Sequence, residues 1–495
     1  MTELRPYPEY RDSDVAWLGD IPSHWERAHG GAVLQQKKVS NRGMVESAVL
    51  SLSYGRIVIK PPEKLHGLVP ESFETYQVVD PGDIIIRPTD LQNDWNTIRV
   101  GLAQDRGIIT SAYICFHTRD PLTAEFAHLL LLGYDLKKVF YGMGSGLRQN
   151  LDWSDFKRMP ILLPPQDEQQ AIVRFVRDLD KKVNRFIRNR RRLVEVLNEQ
   201  KQAIINRAVT RGLDPNSPLK PSGIDWLGDI PEHWDTWKIG HFARVGNGST
   251  PSRGNMAYWQ DGDYPWLNSS TVNRGTIEDA DQFVTALALK ECHLPRVEPG
   301  SLLVAITGQG KTRGTAAVLG MRATINQHLA YITPRSRQVT VMPEYLRAFF
   351  VAAYPELRRM SDDSGSTKGA LTCGDLRHFQ VAIPPEQEQK TIVARIETDT
   401  QEIEAALRTA KREIDLIREY RTRLIADVVT GKVDVRDLAP AETPLDEEQI
   451  DEGIDDEEML GDDEPERTSR PRIHGFCHST RASTTARVTR RTRTG

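Results

Sequence analysis

The sequence predicts an α/β protein with two α/β domains separated by two long antiparallel coiled-coil helices, a pseudo-twofold internal repeat and a disordered C-terminal tail. Three observations predict it. WLGDIPSHW at residues 17–25 returns as WLGDIPEHW at 226–234, and PPQDEQQAIV at 164–173 returns as PPEQEQKTIV at 384–393. After each proline pair, apolar residues fall on alternating four- and three-residue steps. Beyond Pro440 the chain turns acidic, then Arg/Ser/Thr-rich. A repeat of this length is too long for a solenoid unit and marks duplicated domains.

A chain of 495 residues is long enough for about two to four domains. The 39% apolar fraction suffices for globular cores. The N-terminus has no basic stretch followed by an apolar run, so no secretory leader is expected. The longest apolar run, near residues 127–134, is too short to span a bilayer. Cys115, Cys292, Cys373 and Cys477 are scattered, with neither metal-ligand spacing nor a disulfide framework, which suits a reducing cytoplasm.

In order along the chain, the reading gives residues 1–163 as a cap (15–26) and a first insert (27–163). Residues 164–212 carry the first spacer helix, about 166–208. A second cap (224–235) and insert (236–383) fill 213–383, and a second spacer helix, about 386–429, fills 384–438. Residues 439–495 form the tail.

The first helix is predicted from Ile172, Val176, Leu179, Val183, Phe186, Leu193, Leu197 and Ile204, the second from Ile403, Leu407, Ala410, Ile414, Ile417, Leu424 and Val428. Such a seam buries a narrow stripe against a partner helix. Each seam is the other's natural partner. Asp167 and Glu168, then Glu386 and Glu388, complement the positive helix start. Gly212 and Gly431 lie just past the ends.

In the inserts, residues 82–88, 107–116 and 301–307 read as buried strands, and 125–141 and 342–354 as helices. The tail, residues 440–495, holds 14 acidic and 8 basic side chains, leaving 57 basic against 55 acidic in the body. The net charge of −4 therefore says little about nucleic acid, which a near-neutral body binds if its basic groups converge.

Catalytic signatures are scarce. GQGKT at 308–312 lacks the first glycine of a phosphate-binding loop, Ala305 standing in its place, and reads instead as a polar hairpin. No metal set and no nucleophile elbow are present. His24 and His233 sit inside repeated caps and read as packing residues. What remains is polar loops rich in groups that read base edges or hold phosphates. The candidates are Arg87, Gln92, Asn93 and Arg99, then Arg148, Gln149 and Asn150 in the first insert. In the second they are Asn268, Ser269, Asn273, Arg274, Gln309, Lys311, Arg313, Asn326, Gln327, Thr367 and Lys368.

The repeated caps, the PPxxEQ helix starts and VVTGKVDVRDL at 428–438 closely resemble the specificity (S) subunit of type I restriction-modification systems. RPTDLQND at 87–94 and GLRQNLDWSDFKRMPILLPPQDEQ at 146–169 resemble that family's first insert. GNGSTPSRGNMAYWQDGDYPWL at 246–267 and GSTKGALTCGDLRHFQVAIPPEQEQ at 365–389 resemble its second. The resemblance spans about residues 7–439, and the tail departs from it.

It implies that each insert is a target recognition domain reading one half of a bipartite double-stranded DNA site. It also implies that the chain itself performs no chemistry. Two modification (adenine methyltransferase) subunits would dock on the spacer helices, on the rows Ile172, Val176, Leu179, Val183, Phe186, Leu193 and Ile403, Leu407, Ile414, Ile417, Leu424. S-adenosylmethionine, ATP and Mg are expected on the modification and restriction subunits, and no cofactor or metal on this chain. The alternative is a coiled-coil interaction scaffold without DNA specificity.

Overall fold

The computed structural model describes residues 4–440, apart from 62–71, 93, 95–96, 144–148, 309, 337 and 363–368. The expected tail lies outside the described residues beyond Pro440. Two long helices, Gln166–Arg211 and Glu386–Val429, position everything else. Pro165 and Pro385 are their N-caps, where a missing N–H costs nothing. The first, 46 residues long, measures about 69 Å at 1.5 Å per residue.

The helices run antiparallel. Asp180 pairs with Arg421 through two bonds of 2.7 and 3.0 Å, Arg190 with Glu413 at 2.7 Å, and Lys201 with Glu404 at 2.8 Å. As one residue number climbs, the other falls. Between these pairs Val183, Ile187 and Ile414 form an apolar cluster flanked by Leu179 and Ile417. The sequence placed Phe186, Leu193 and Ile204 in this row. The structure instead buries Ile187 and Ile205 and leaves Leu193 38% exposed. A strict seven-residue repeat drifts roughly 20° per heptad on a straight helix, so the buried row steps over by one residue.

The first insert carries a four-stranded antiparallel sheet, ordered Leu34–Lys37, Ile114–Thr118, Ile84–Ile86, Val100–Leu102. The second carries Ala243–Asn247, Leu329–Pro334, Leu302–Ala305 and Ala316–Leu319 in the same spatial and chain order, plus a fifth strand, Thr276–Ile277, added in parallel. Ile84, Ile85 and Ile86 are buried on both faces of the sheet, which is why that stretch reads as a continuous apolar run. Residues 107–116 are two strands rather than one, Gly107–Ile109 and Ile114–Thr118, broken by a turn in which the Tyr113 N–H donates to the Thr110 carbonyl. Residues 125–141 likewise split at Lys138, whose φ of 59° ends the helix Ala124–Leu136 before a short 3-10 turn.

Each core is closed by the far end of the other half's helix. Leu424, Ile425, Val428 and Val429 pack with Trp25, Phe126 and Leu130 in the first domain. Ile205, Ala208 and Val209 pack with Trp234, Ile230 and Tyr345 in the second. Each cap therefore sits where one helix starts and the other ends. Gly431 (φ 75°) passes so close to Pro22 that a Cβ would stand 2.4 Å from its Cδ.

Two buried groups of the helix Ala124–Leu136 give a pH test. Burial pushes the Asp135 carboxyl up to about 6 from 3.8, and the His128 imidazole down to about 4 from 6.5. With Asp135, the folded chain holds a proton that the unfolded chain releases, so stability falls as pH rises from about 4 through 6. His128 acts oppositely, stability being lost as pH falls from 6.5 through about 4. Asp135→Asn is expected to gain on the native chain by up to about 3 kcal/mol between pH 4 and pH 7. Urea midpoints at both pH values check this, and a pH-independent difference between the two chains would sink it. Among the described residues no helix is long and apolar enough to cross a membrane.

Candidate nucleic-acid interface

The caps come first, because they fix where the domains stand. Glu168, in the first turn of the first long helix, is buried, and its carboxylate accepts from Tyr7 Oη, Trp25 Nε1 (2.9 Å) and His24 Nε2 (2.8 Å). Glu388 opens the second helix and accepts from Trp234 Nε1 (3.1 Å) and His233 Nε2 (2.7 Å). The acidic first turn thus clamps the cap to the helix, and the two histidines serve that clamp. One residue on, Gln169 and Gln389 each donate to the first carbonyl of their proline pair, Pro164 and Pro384, at 3.0 and 2.9 Å.

On the first domain the structure brings two candidate segments together. The Asp90 N–H donates to Asn150 Oδ1 at 3.1 Å, and the Leu151 N–H to the Pro88 carbonyl at 2.9 Å. Gln92 and Asn150 are exposed, and Arg87 is half-buried with Asp94 at 3.4 Å. Burial works against the charge of Asp94. Hydrogen bonds from Thr97, with the Arg99 and Arg87 cations, still hold its carboxyl below the usual range. Gln149 is turned inward, its amide donating to the Tyr141 and Met143 carbonyls. Arg99 corrects the sequence reading: its side chain is 0% exposed and cannot touch a base. Asn93 and Arg148 lie outside the described residues.

On the second domain a cluster forms from distant segments. Thr250 Oγ1 donates to Gln327 Oε1 (2.5 Å), Thr307 Oγ1 meets His328 Nδ1 (2.6 Å), and the Asn326 N–H donates to the Leu267 carbonyl (2.9 Å). Gly248 permits this meeting, since a Cβ there would stand 1.7 Å from the Ile325 carbonyl oxygen. Asn268 caps the 3-10 helix Ser269–Arg274, with Ser269 half-buried and Asn273 exposed. Arg274 is engaged by Asp279 and Asp281.

Gly308 and residues 310–312 of GQGKT lie between the antiparallel strands Leu302–Ala305 and Ala316–Leu319, with a strand rather than a helix next in the chain, so the motif is not a phosphate-binding loop. Lys311 is exposed on that hairpin, where Tyr354 Oη and Arg358 Nη1 donate to the Lys311 and Gly310 carbonyls. Arg313 and Asn326 correct the reading as Arg99 does. Arg313 is buried beside Asp362, and Asn326 is buried with its side chain accepting from the His328 N–H. Gln309, Thr367 and Lys368 lie outside the described residues.

Sequence reasoning missed Arg253. Its guanidinium stacks 3.8 Å from the Trp259 ring centre, reaches 4.9 Å from that of Trp266, and donates to Gln282 at 2.7 Å. An arginine ahead of tryptophans in a Gly- and Ser-rich loop was the available signal.

The docking rows also need correction. Of their eleven side chains only Leu193 is exposed; Val183 and Ile414, with Leu179 and Ile417, are spent on the seam between the helices, and Ile172, Val176 and Leu424 on the first domain's core. Val196, Leu416 and Tyr420 are the other exposed large apolar side chains along the shafts. Among the described residues no group of three or more His, Cys, Asp and Glu is placed to hold a metal ion.

The family model described as the type I restriction modification DNA specificity domain matches residues 41–196 and 231–411. A Methanocaldococcus jannaschii protein provisionally named the type I restriction enzyme MjaX specificity subunit is 20% identical over 436 residues, covering 85% of this chain and 96% of that one. The MjaIX specificity subunit of the same organism is 30% identical over 168 residues, 33% of this chain and 37% of the relative. A solved chain from work on complex assembly and conformational transition of the type I R-M system shares the fold, with a TM-score of 0.57 at 17% identity over 83% of this chain and 98% of its own.

Proposed function

Because the chain belongs to the type I restriction modification DNA specificity family, we propose that its two domains each read one half of a bipartite DNA site, held apart by the paired long helices. The chain is a non-catalytic DNA sequence-recognition subunit of a type I restriction-modification system. The observation that carries the finer reading is the repeat of one sheet order under unlike loops, on caps clamped by the same Glu–Trp–His bonds. A duplicated frame with divergent loops is what two different half-sites require. Related half-site readers on a two-fold frame sit about one helical turn, or a multiple, apart on the duplex.

In this reading the frame is pseudo-twofold, the helices act as a spacer, and modification subunits dock on their outer faces. Leu193, Val196, Leu416 and Tyr420 are the apolar anchors proposed for that docking, in place of the seam residues. S-adenosylmethionine, ATP and Mg belong to the partner subunits, and the complex works in the cytoplasm. An interaction scaffold without DNA specificity is not favoured.

Exchanging residues 27–163 for another family member's first insert is expected to change one half-site and leave the other, and the gap, intact. Mapping methylated adenines in cells carrying the chimera checks it. If both halves changed together, the domains would not be independent readers.

A further inference from the structure

Residues 87–92 and 94 of the first domain form neither strand nor helix, so their carbonyls need donors from elsewhere. Arg99 supplies them. A guanidinium has five N–H donors in a fixed fork. Here all five are used: Nε donates to Tyr141 Oη (3.2 Å), Nη1 to the Arg87 (3.3 Å) and Thr89 (2.6 Å) carbonyls, and Nη2 to the Asp90 (3.3 Å) and Asp94 (2.7 Å) carbonyls. Tyr141 Oη in turn donates to the Asp94 carbonyl at 2.8 Å. The Arg99 N–H is itself fixed on Asp135 Oδ2 at 2.7 Å. One buried side chain thus gathers four backbone carbonyls of one eight-residue loop from beneath. The loop's outer side carries Gln92, exposed, with Asn150 tied to it.

We propose that Arg99 is the positioning residue of the first domain's base-reading loop, setting the shape of residues 87–94 so that selectivity at one half-site depends on a side chain that never meets DNA. This rests on the proposed reading of that loop as a DNA contact. Lysine cannot replace the fork, because one ammonium offers three donors from a single point.

The test uses the full chain with its modification subunits and maps methylated adenines. Arg99→Lys is expected to make the first domain's half-site degenerate, with discrimination at its positions falling at least about tenfold, while the second domain's half-site stays sharp. A merely structural role would lower the amount of active complex with both half-sites still read. That outcome overturns the proposal.

Tyr141→Phe, a gentler change, is expected to relax the same positions by a smaller factor. No relaxation with Tyr141→Phe overturns the proposal even where Arg99→Lys fails to assemble. Gln92→Ala and Arg87→Ala separate the two claims: if neither alters any position of either half-site, the loop is not a reader. The proposed assignment of the loop then fails independently of what Arg99 supports.

Discussion

Glu168→Ala is expected to cost about 3–5 kcal/mol of stability, because it strands buried donors that have nowhere else to go. The carboxylate is 3% exposed and accepts from three side chains. Trp25 is fully buried, so its indole N–H cannot turn to water. Burial, then the hydrogen bond to Glu168, pushes the Tyr7 phenol far up, so it remains a donor at any working pH.

The loss also propagates. Tyr7 stacks under Arg436, and Trp25 lies against Gly431, so the same carboxylate ties the N-terminal cap to the exit of the second helix. Glu388→Ala removes only two bonds from a carboxylate 27% exposed, and is expected to cost about 1–2 kcal/mol. Denaturation midpoints of the two variants check the asymmetry. Equal losses would show that burial of the first clamp contributes nothing.

These clamps show what a sequence states and what it hides. The frame was legible because it is written twice: repeated caps, proline pairs and apolar rows need no alignment to be seen. The role of Glu168 was only half legible. Its position in a first turn suggests a dipole effect, whereas three donors brought from residues 7–25 explain its burial. The loops were legible as polar, but polarity does not reveal direction. Arg99, Arg313 and Asn326 have the composition of base readers and are buried: Arg99 and Asn326 because loops without strand partners must satisfy their carbonyls and N–H groups from inside, Arg313 in an ion pair with Asp362. Leu193 failed in the opposite sense: a seven-residue pattern does not track a straight helix over this length.

The pairing of the long helices changes how a spacer test must be built. Lengthening the first helix alone would slide Lys201 away from Glu404 while Arg190 still faced Glu413, tearing the seam rather than extending it. One heptad inserted between Glu195 and Val196, with a second between Leu407 and Arg408, keeps both ion pairs and both ends in register. Seven residues add about 10.5 Å, close to the length of three base pairs at about 3.4 Å each. The unread gap in the methylated site is expected to lengthen accordingly, with both half-sites unchanged. Three base pairs also rotate the duplex by roughly 100°, against a helix-pair drift of roughly 20°, so the DNA must twist and affinity must fall. Methylated-adenine mapping reads the gap directly, and titration against the parental site reads the affinity. A lengthened strut that still selected the parental gap would mean that something other than the helices sets the distance between the readers.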